Sequence, residues 1–157
     1  MPNPDLFRAV LGSVPTGVSV ICTRDGDGRP VGLTVNTLTS VSLEPPMVLF
    51  CLDLDAESLP AFDAAEHFAV SLLRADQADV SRLFARPNDR FAQVAWEPAP
   101  SGAPILKERL GMLDCAIDAA IDGGDHRIFL GHVLAADCDE AAEPLVHFRG
   151  RSRTLGG

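Results

Sequence analysis

The chain has 157 residues, 46% of them hydrophobic, and a formal net charge of −9. That length suffices for one domain with a sizeable core, and the apolar content excludes wholesale disorder. The negative balance argues against a general nucleic-acid binder and against docking on an anionic membrane, because both need clustered Lys and Arg.

Residues 1–5 lack the basic start and long apolar run of a signal peptide. The longest purely apolar run, residues 47–52, is far too short to span a bilayer. Cys22, Cys51, Cys115 and Cys138 show neither Cys-x-x-Cys nor Cys/His metal spacing, and three of them read as small core residues. A single soluble, cytoplasmic domain over residues 1–157 is the expectation.

Asp5 is placed to cap a first helix, with Leu6, Val10, Leu11 and Val14 at helical spacing. Pro15-Thr16-Gly17 reads as the turn that ends it. Residues 18–23, rich in β-branched side chains, predict a strand. The charged loop 24–30 and a second strand from Val31 complete a β-hairpin. The second arm runs on from Gly32 to Leu43 as one extended ribbon. Strand alternation gives it one face of Leu33, Val35, Thr37, Thr39, Val41 and Leu43, and another of Thr34, Asn36, Leu38, Ser40 and Ser42. The second face is mostly small, hydrogen-bonding and uncharged. Neutral hydroxyls and amides cost less to desolvate than charges, so such a face suits a planar heterocycle with a polar tail. A Thr/Ser-rich edge strand whose hydroxyls meet water would show the same pattern.

Pro45-Pro46 stops the ribbon, and residues 47–52 predict a central strand, apolar on both faces. An acidic loop, residues 53–57, leads to Ser58, placed to cap a helix with Pro60 in its first turn that runs to about Glu66. Residues 68–73 predict a strand, and Asp76 is placed to cap a second helix with Val80, Leu83 and Phe84 on one face. Residues 85–104 read as a long loop containing Arg90, Phe91 and Trp96. Leu113, Cys115, Ile117, Ala119 and Ile121 alternate inward along the next strand. Gly123-Gly124-Asp125-His126 is a turn, residues 128–135 the returning strand, 145–149 a last strand and 150–153 a basic tail. About seven strands and three short helices with antiparallel links predict a mainly β fold, an antiparallel β-barrel with helices at its rim.

No serine-hydrolase elbow, P-loop, dinucleotide-fold glycine pattern or His-Glu-x-x-His motif is present. Ser58 at a helix start is either a phosphate contact or a plain N-cap. His126 at a hairpin turn is either a ligand contact or a solvated surface residue.

Phe7-Arg8-x-Val10-Leu11-Gly12, Pro15-Thr16-Gly17-Val18, Gly32-Leu33-Thr34-Val35-Asn36 and Thr39-Ser40-Val41-Ser42-Leu43-Glu44-Pro45-Pro46 follow one another in the first third of the chain. Phe68-Ala69-Val70-Ser71-x-Leu73, Phe84-Ala85, Gly124-Asp125-His126 and Phe148-Arg149-Gly150-Arg151 continue the series. In this order they resemble the flavin reductase-like family with the FMN-binding split-barrel fold. Those are short NAD(P)H:flavin oxidoreductases that supply reduced flavin to two-component monooxygenases. The resemblance implies an antiparallel split β-barrel, FMN or FAD with NADH or NADPH as co-substrate, a partner monooxygenase and a homodimer. It implies that Thr34, Val35, Asn36 and Thr37 line the isoalloxazine ring, while Ser40, Val41 and Ser42 hold the ribityl chain and phosphate. Cys51 and Leu52 would flank the flavin, and Ser58 and Leu59 would lie near its phosphate. Phe84, Ala85 and Arg90 would approach from the far side, across a dimer interface. His126 would contact the nicotinamide, with Arg151 a second candidate, and Pro15-Thr16-Gly17 would form part of the wall. The acidic residues 53–57 depart from relatives that carry Lys or Arg hereabouts. The alternatives are a flavin-binding module without turnover and an oxidase of the pyridoxamine-phosphate type on the same barrel.

Overall fold

The computed structural model describes residues 1–87 and 89–156. The elements in the first half are α1 (Pro4–Gly12), β1 (Thr16–Gly17), β2 (Ser19–Arg24), β3 (Pro30–Val35), β4 (Thr39–Leu43), β5 (Pro46–Asp53), α2 (Leu59–Ala64) and β6 (His67–Leu72). Then come α3 (Ala78–Phe84), a 3-10 turn (Phe91–Gln93), β7 (Trp96–Pro98), β8 (Pro104–Leu106), β9 (Gly111–Gly123), β10 (His126–Cys138), β11 (Val146–Phe148) and β12 (Arg151–Arg153). Seven strands form the main antiparallel sheet in the order β3-β2-β6-β9-β10-β5-β4. A small sheet, β1-β11-β12, and the hairpin β7-β8 lie outside it.

The two edge strands of the main sheet are neighbours in sequence, joined by Asn36-Thr37-Leu38. That link spans at most about 15 Å, whereas a flat sheet of this width would hold its edges roughly 29 Å apart. The sheet therefore curls until β3 packs on β5. The interior is filled by aromatic rings. Phe50, Phe62, Phe68 and Phe129 are all 0% exposed, and Phe50 stacks on Phe129 with centroids 5.2 Å apart while meeting Phe62 and Phe68 edge-on. Gly131 has no side chain because a Cβ there would lie 2.6 Å from the Phe68 ring. A second cluster, including Phe84 and Leu145, sits beneath α3.

Several expectations change. Asn3, not Asp5, caps α1, its side-chain oxygen accepting the Asp5 N–H at 2.8 Å. Thr16-Gly17 pairs with β11 and is a strand, not a free turn. Ser58 precedes α2 but makes no side-chain cap bond, and that helix stops at Ala64. Gln77 rather than Asp76 precedes α3, because Asp76 is drawn to Arg74 at 3.2 Å. The loop expected over 85–104 carries the β7-β8 hairpin, held by Trp96 edge-on to Phe91 with Arg24 above its ring. Two bulges between β9 and β10 upset the simple alternation, leaving Ile121 48% exposed. Asp114 is 0% exposed, and its carboxylate accepts from Ser101 N and Oγ at 2.8 and 2.6 Å. Of the cysteines, Cys22 and Cys115 are buried, Cys51 is half-buried and Cys138 is exposed, so two rather than three are core residues. The basic tail is strand β12.

Candidate functional site

The long ribbon expected from Gly32 to Leu43 is broken. Residues 36–38 leave the ladder, and the side-chain parity changes across them: Val35 is buried and Leu38 also packs on the core. A bulge between Ser40 and Ser42 shifts the pairing again. A bulge or link of this kind leaves no mark in hydrophobic alternation, so the two predicted faces do not survive as written.

A different face assembles the polar ribbon with His126. On β5, Val48, Phe50 and Leu52 point into the core, so Met47, Leu49 and Cys51 point outward. Register sets His132 opposite Met47, Leu130 opposite Leu49, Ile128 opposite Cys51 and His126 opposite Asp53. Thr39 lies beside Leu49 and Ser42 beside Met47 on the other flank. Thr37 clips onto this face. The Cys51 N–H donates to its hydroxyl at 3.0 Å, and the hydroxyl donates back to the Cys51 carbonyl at 3.2 Å. An apolar plane is thus edged by hydroxyls and closed at one end by an imidazole. Thr37→Val removes a hydroxyl bonded twice to strand β5 and is expected to cost about 1 kcal/mol of stability in a urea titration.

His126 opens β10 immediately after the two-residue turn Gly124-Asp125, with Gly124 at φ 68°. Its Nδ1 lies 2.7 Å from the Asp125 carboxylate. A carboxylate only accepts, so the proton sits on Nδ1 and Nε2 faces outward as an acceptor. The hydrogen bond from His126 holds the Asp125 carboxyl below its ordinary value. The Leu54 N–H donates to the Asp125 carbonyl at 3.0 Å, tying the acidic loop to this turn.

The same loop leads into a cleft of about 950 Å³ walled by β3, residues 56–58 and the segment after α3. Thr34 lines it, but its hydroxyl donates to the Ser81 carbonyl at 2.7 Å and so pins α3 to β3. Ala85, Ser58 and Arg90 line it too. The Arg90 guanidinium donates to the carbonyls of Arg86 and Gly32. Burial pulls its pKa below the ordinary arginine value, while Glu57 and Cys22 push it back up. Phe84, Ala85 and Arg90 share this cleft with Ser58 inside one chain.

Other expected contacts fall elsewhere. Val35 and Leu52 have buried side chains at 8% and 2% exposure, and Leu59 packs on the core; burial of apolar surface turns these three inward. Asn36, Ser40 and Val41 are exposed and Ser42 is half-buried. Arg151 and Thr16-Gly17 belong to the small β1-β11-β12 sheet and do not line the cleft. The acidic loop is largely turned to water, with the Asp53 carboxylate accepting the Asp55 N–H at 2.8 Å; Glu57 alone of its acids lines the cleft. Missed from sequence were Leu49, Ile128 and Asp125, together with the Gly32 carbonyl that anchors Arg90. Only the outward parity of β5 could have signalled Leu49.

Residues 11–156 match the family described as Flavin reductase like domain. The chain belongs to that family of mainly antiparallel β proteins. It is 45% identical over 134 residues to the stachydrine N-demethylase reductase subunit Stc3 of Rhizobium meliloti (strain 1021), covering 85% of this chain and 58% of Stc3. It is 39% identical to the flavin reductase (NADH) of Kitasatospora aureofaciens over 92% of this chain and 78% of that protein. Its backbone matches the Streptomyces globisporus C-1027 NADH:FAD oxidoreductase SgcE6 in complex with NAD and FAD fragments, with TM-score 0.90 and 39% identity over 98% of this chain and 94% of that one. The chain spans about half the length of two of its curated relatives, 58% and 43%.

The residues fit a flavin by their chemistry. The Leu49–Leu130 and Cys51–Ile128 pairs offer a flat, uncharged surface, and Thr37, Thr39 and Ser42 offer hydroxyls at its margin. The neighbouring cleft provides a cation, Arg90, and two carboxylates, Glu57 and Asp89. Its volume is at the upper end of small-ligand sites.

Proposed function

We propose that this chain is an NAD(P)H-dependent flavin reductase that hands reduced FMN or FAD to a partner monooxygenase. The observation that carries the reading is the shared outer face of β5 and β10, where the Thr37–Cys51 clip and the His126 ring stand two residues apart along one strand pair. A flavin, when bound, supplies the electron acceptor for the hydride of a reduced nicotinamide. The chain's own residues then bind, orient and shield. Leu49, Cys51 and Ile128 exclude water from one side, Thr37 and Ser42 give polar contacts at the margin, and Ser58 with Arg90 would meet the phosphate end. His126 holds its ring by the Asp125 bond and offers Nε2 to a carboxamide N–H of the nicotinamide. Its Nδ1–H is already committed to Asp125.

With one cation accompanied in the cleft by Glu57 and Asp89, the phosphate grip is modest, which suits a flavin that leaves after reduction. We read residues 1–157 as one functional domain acting as a homodimer in the cytoplasm, without nucleic-acid or membrane partners. The free thiols of all four cysteines support a reducing compartment. Among the described residues no helix is long and apolar enough to cross a membrane. A steady-state panel of FMN and FAD against NADH and NADPH tests the activity. Turnover with at least one combination is expected; flavin binding with no nicotinamide consumption would favour the non-catalytic module.

A further inference from the structure

Among the described residues the cleft has one cation, Arg90. Its Nε and Nη1 donate to the carbonyls of Arg86 and Gly32, and among the described residues its Nη2 group has no hydrogen-bond partner. A guanidinium fixed on two carbonyls keeps a directed fork for an anion. Released from the Gly32 carbonyl, it would have Glu57 and Asp89 in the same cleft to pair with, and a neutralised cation grips a phosphate weakly. What keeps residue 90 against Gly32 therefore decides how well the cleft takes an anion.

The next residue, Phe91, is wedged in place. Its ring lies against Gly32, where a Cβ would come within 3.1 Å of Cζ. Phe84 meets the same ring edge-on with centroids 5.2 Å apart, and Trp96 does so at 5.7 Å. The Arg24 guanidinium lies over the indole at 5.5 Å, and donates from Nε to the Gly102 carbonyl at 2.7 Å and from Nη1 to the Gly28 carbonyl at 3.0 Å. Behind Trp96 the β7-β8 hairpin is fastened to the main sheet. The Leu106 N–H donates to the buried Ser71 hydroxyl at 3.0 Å, and Ser101 is held by the buried Asp114 carboxylate. Arg24, Trp96, Phe91 and Phe84 thus form one row of contacts from the end of β2 to the end of α3. Neither Arg24 nor Trp96 lines the cleft, so either can act on it only through Phe91.

We propose that Trp96, backed by Arg24, is a positioning residue for anion binding: it presses Phe91 onto Gly32 and so keeps the Arg90 fork in the cleft for the phosphate of the flavin. The phosphate as the anion rests on the flavin-reductase reading; the row of contacts does not. An aromatic buttress suits the task, because edge-on ring pairs and a stacked guanidinium have preferred geometries, whereas aliphatic packing leaves a segment freer to shift. The β7-β8 hairpin, which reads as loop from sequence, thereby does more than cover the sheet. Its indole acts on the charged end of the ligand and leaves the hold on the flat part to the outer face of β5 and β10.

Two flavins separate this role from plain packing. FMN carries the phosphate and riboflavin lacks it, so the ratio of their dissociation constants, read by fluorescence quenching, reports the anion grip alone. Arg90→Gln is expected to weaken FMN about tenfold or more and to leave riboflavin within about twofold. Trp96→Leu keeps apolar bulk but removes the ring. It is expected to weaken FMN about fivefold with riboflavin again within about twofold, and Trp96→Phe to restore most of the loss. Arg24→Lys keeps the charge and loses the flat guanidinium, and is expected to lower the FMN preference about threefold. Equal weakening of both flavins by Trp96→Leu, or weakening of neither, would overturn the positioning role even where Arg90→Gln behaves as expected. If Trp96→Leu does not fold, Arg24→Lys decides, and an unchanged FMN preference there overturns the role. Arg90→Gln with the full FMN preference would instead overturn the phosphate reading of the cleft, and an unmodified chain that binds neither flavin would overturn the flavin reading itself. Each of these removes the proposal by a result distinct from the first.

Discussion

His126→Ala is expected to slow NADH oxidation about 10- to 100-fold while changing flavin affinity little. The ring is held on one side by Asp125 at 2.7 Å and leaves Nε2 directed away from the turn. A hydrogen bond that fixes the nicotinamide against the acceptor is worth about 1.5–3 kcal/mol when one partner is polarised by a charge, which gives that range of rates. Flavin affinity should be spared because Thr37, Cys51, Ser58 and Arg90 lie outside the substitution. Stopped-flow oxidation of NADH, with flavin binding read separately by fluorescence quenching, separates the two effects. Unchanged turnover would remove His126 from the mechanism; equal losses in binding and turnover would make it a flavin contact instead.

Phe50→Ala is expected to cost about 3–5 kcal/mol of folding stability, close to the whole reserve of a marginal domain. Its ring is 0% exposed and touches three other aromatic rings, with centroids between 5.0 and 5.6 Å away. Phe62 is anchored in α2 and the others in the sheet, so the cavity cannot close by moving one element. The same strand presents Leu49 and Cys51 on its outer side, so slackening the core should also loosen the proposed flavin face. A urea melt followed by far-ultraviolet circular dichroism checks the stability, and a midpoint near that of the unmodified chain would show that the aromatic cluster is not the anchor of the barrel.

Element types were legible in the sequence where a short apolar run had to be buried. Residues 47–52 and 68–73 declare themselves because Phe50, Leu52, Phe68 and Val70 must leave water, and β5 and β6 lie there. Legibility failed where the chain spent polar groups on itself. Thr34 looked free and is bonded to Ser81; Asp114 looked outward and is buried under Ser101; Asp76 looked like a cap and pairs with Arg74. Each depends on a contact distant in sequence or on a choice between two nearby partners, which local pattern does not encode. The residue types of the proposed site could be picked out in the sequence, but not their arrangement. His126 and Thr37 are 89 positions apart and are brought to one face through β5, whose register against β10 is fixed by the core face rather than by any motif.

The uncharged outer face of β5 and β10 as the flavin seat is tested most directly by backbone amide resonances followed through an FMN titration. The largest shifts are expected at Thr37, Cys51 and His126, fading along β5 toward Pro46. Shifts confined to the β7-β8 hairpin or the β11-β12 sheet, with those three amides unmoved at saturation, would contradict it.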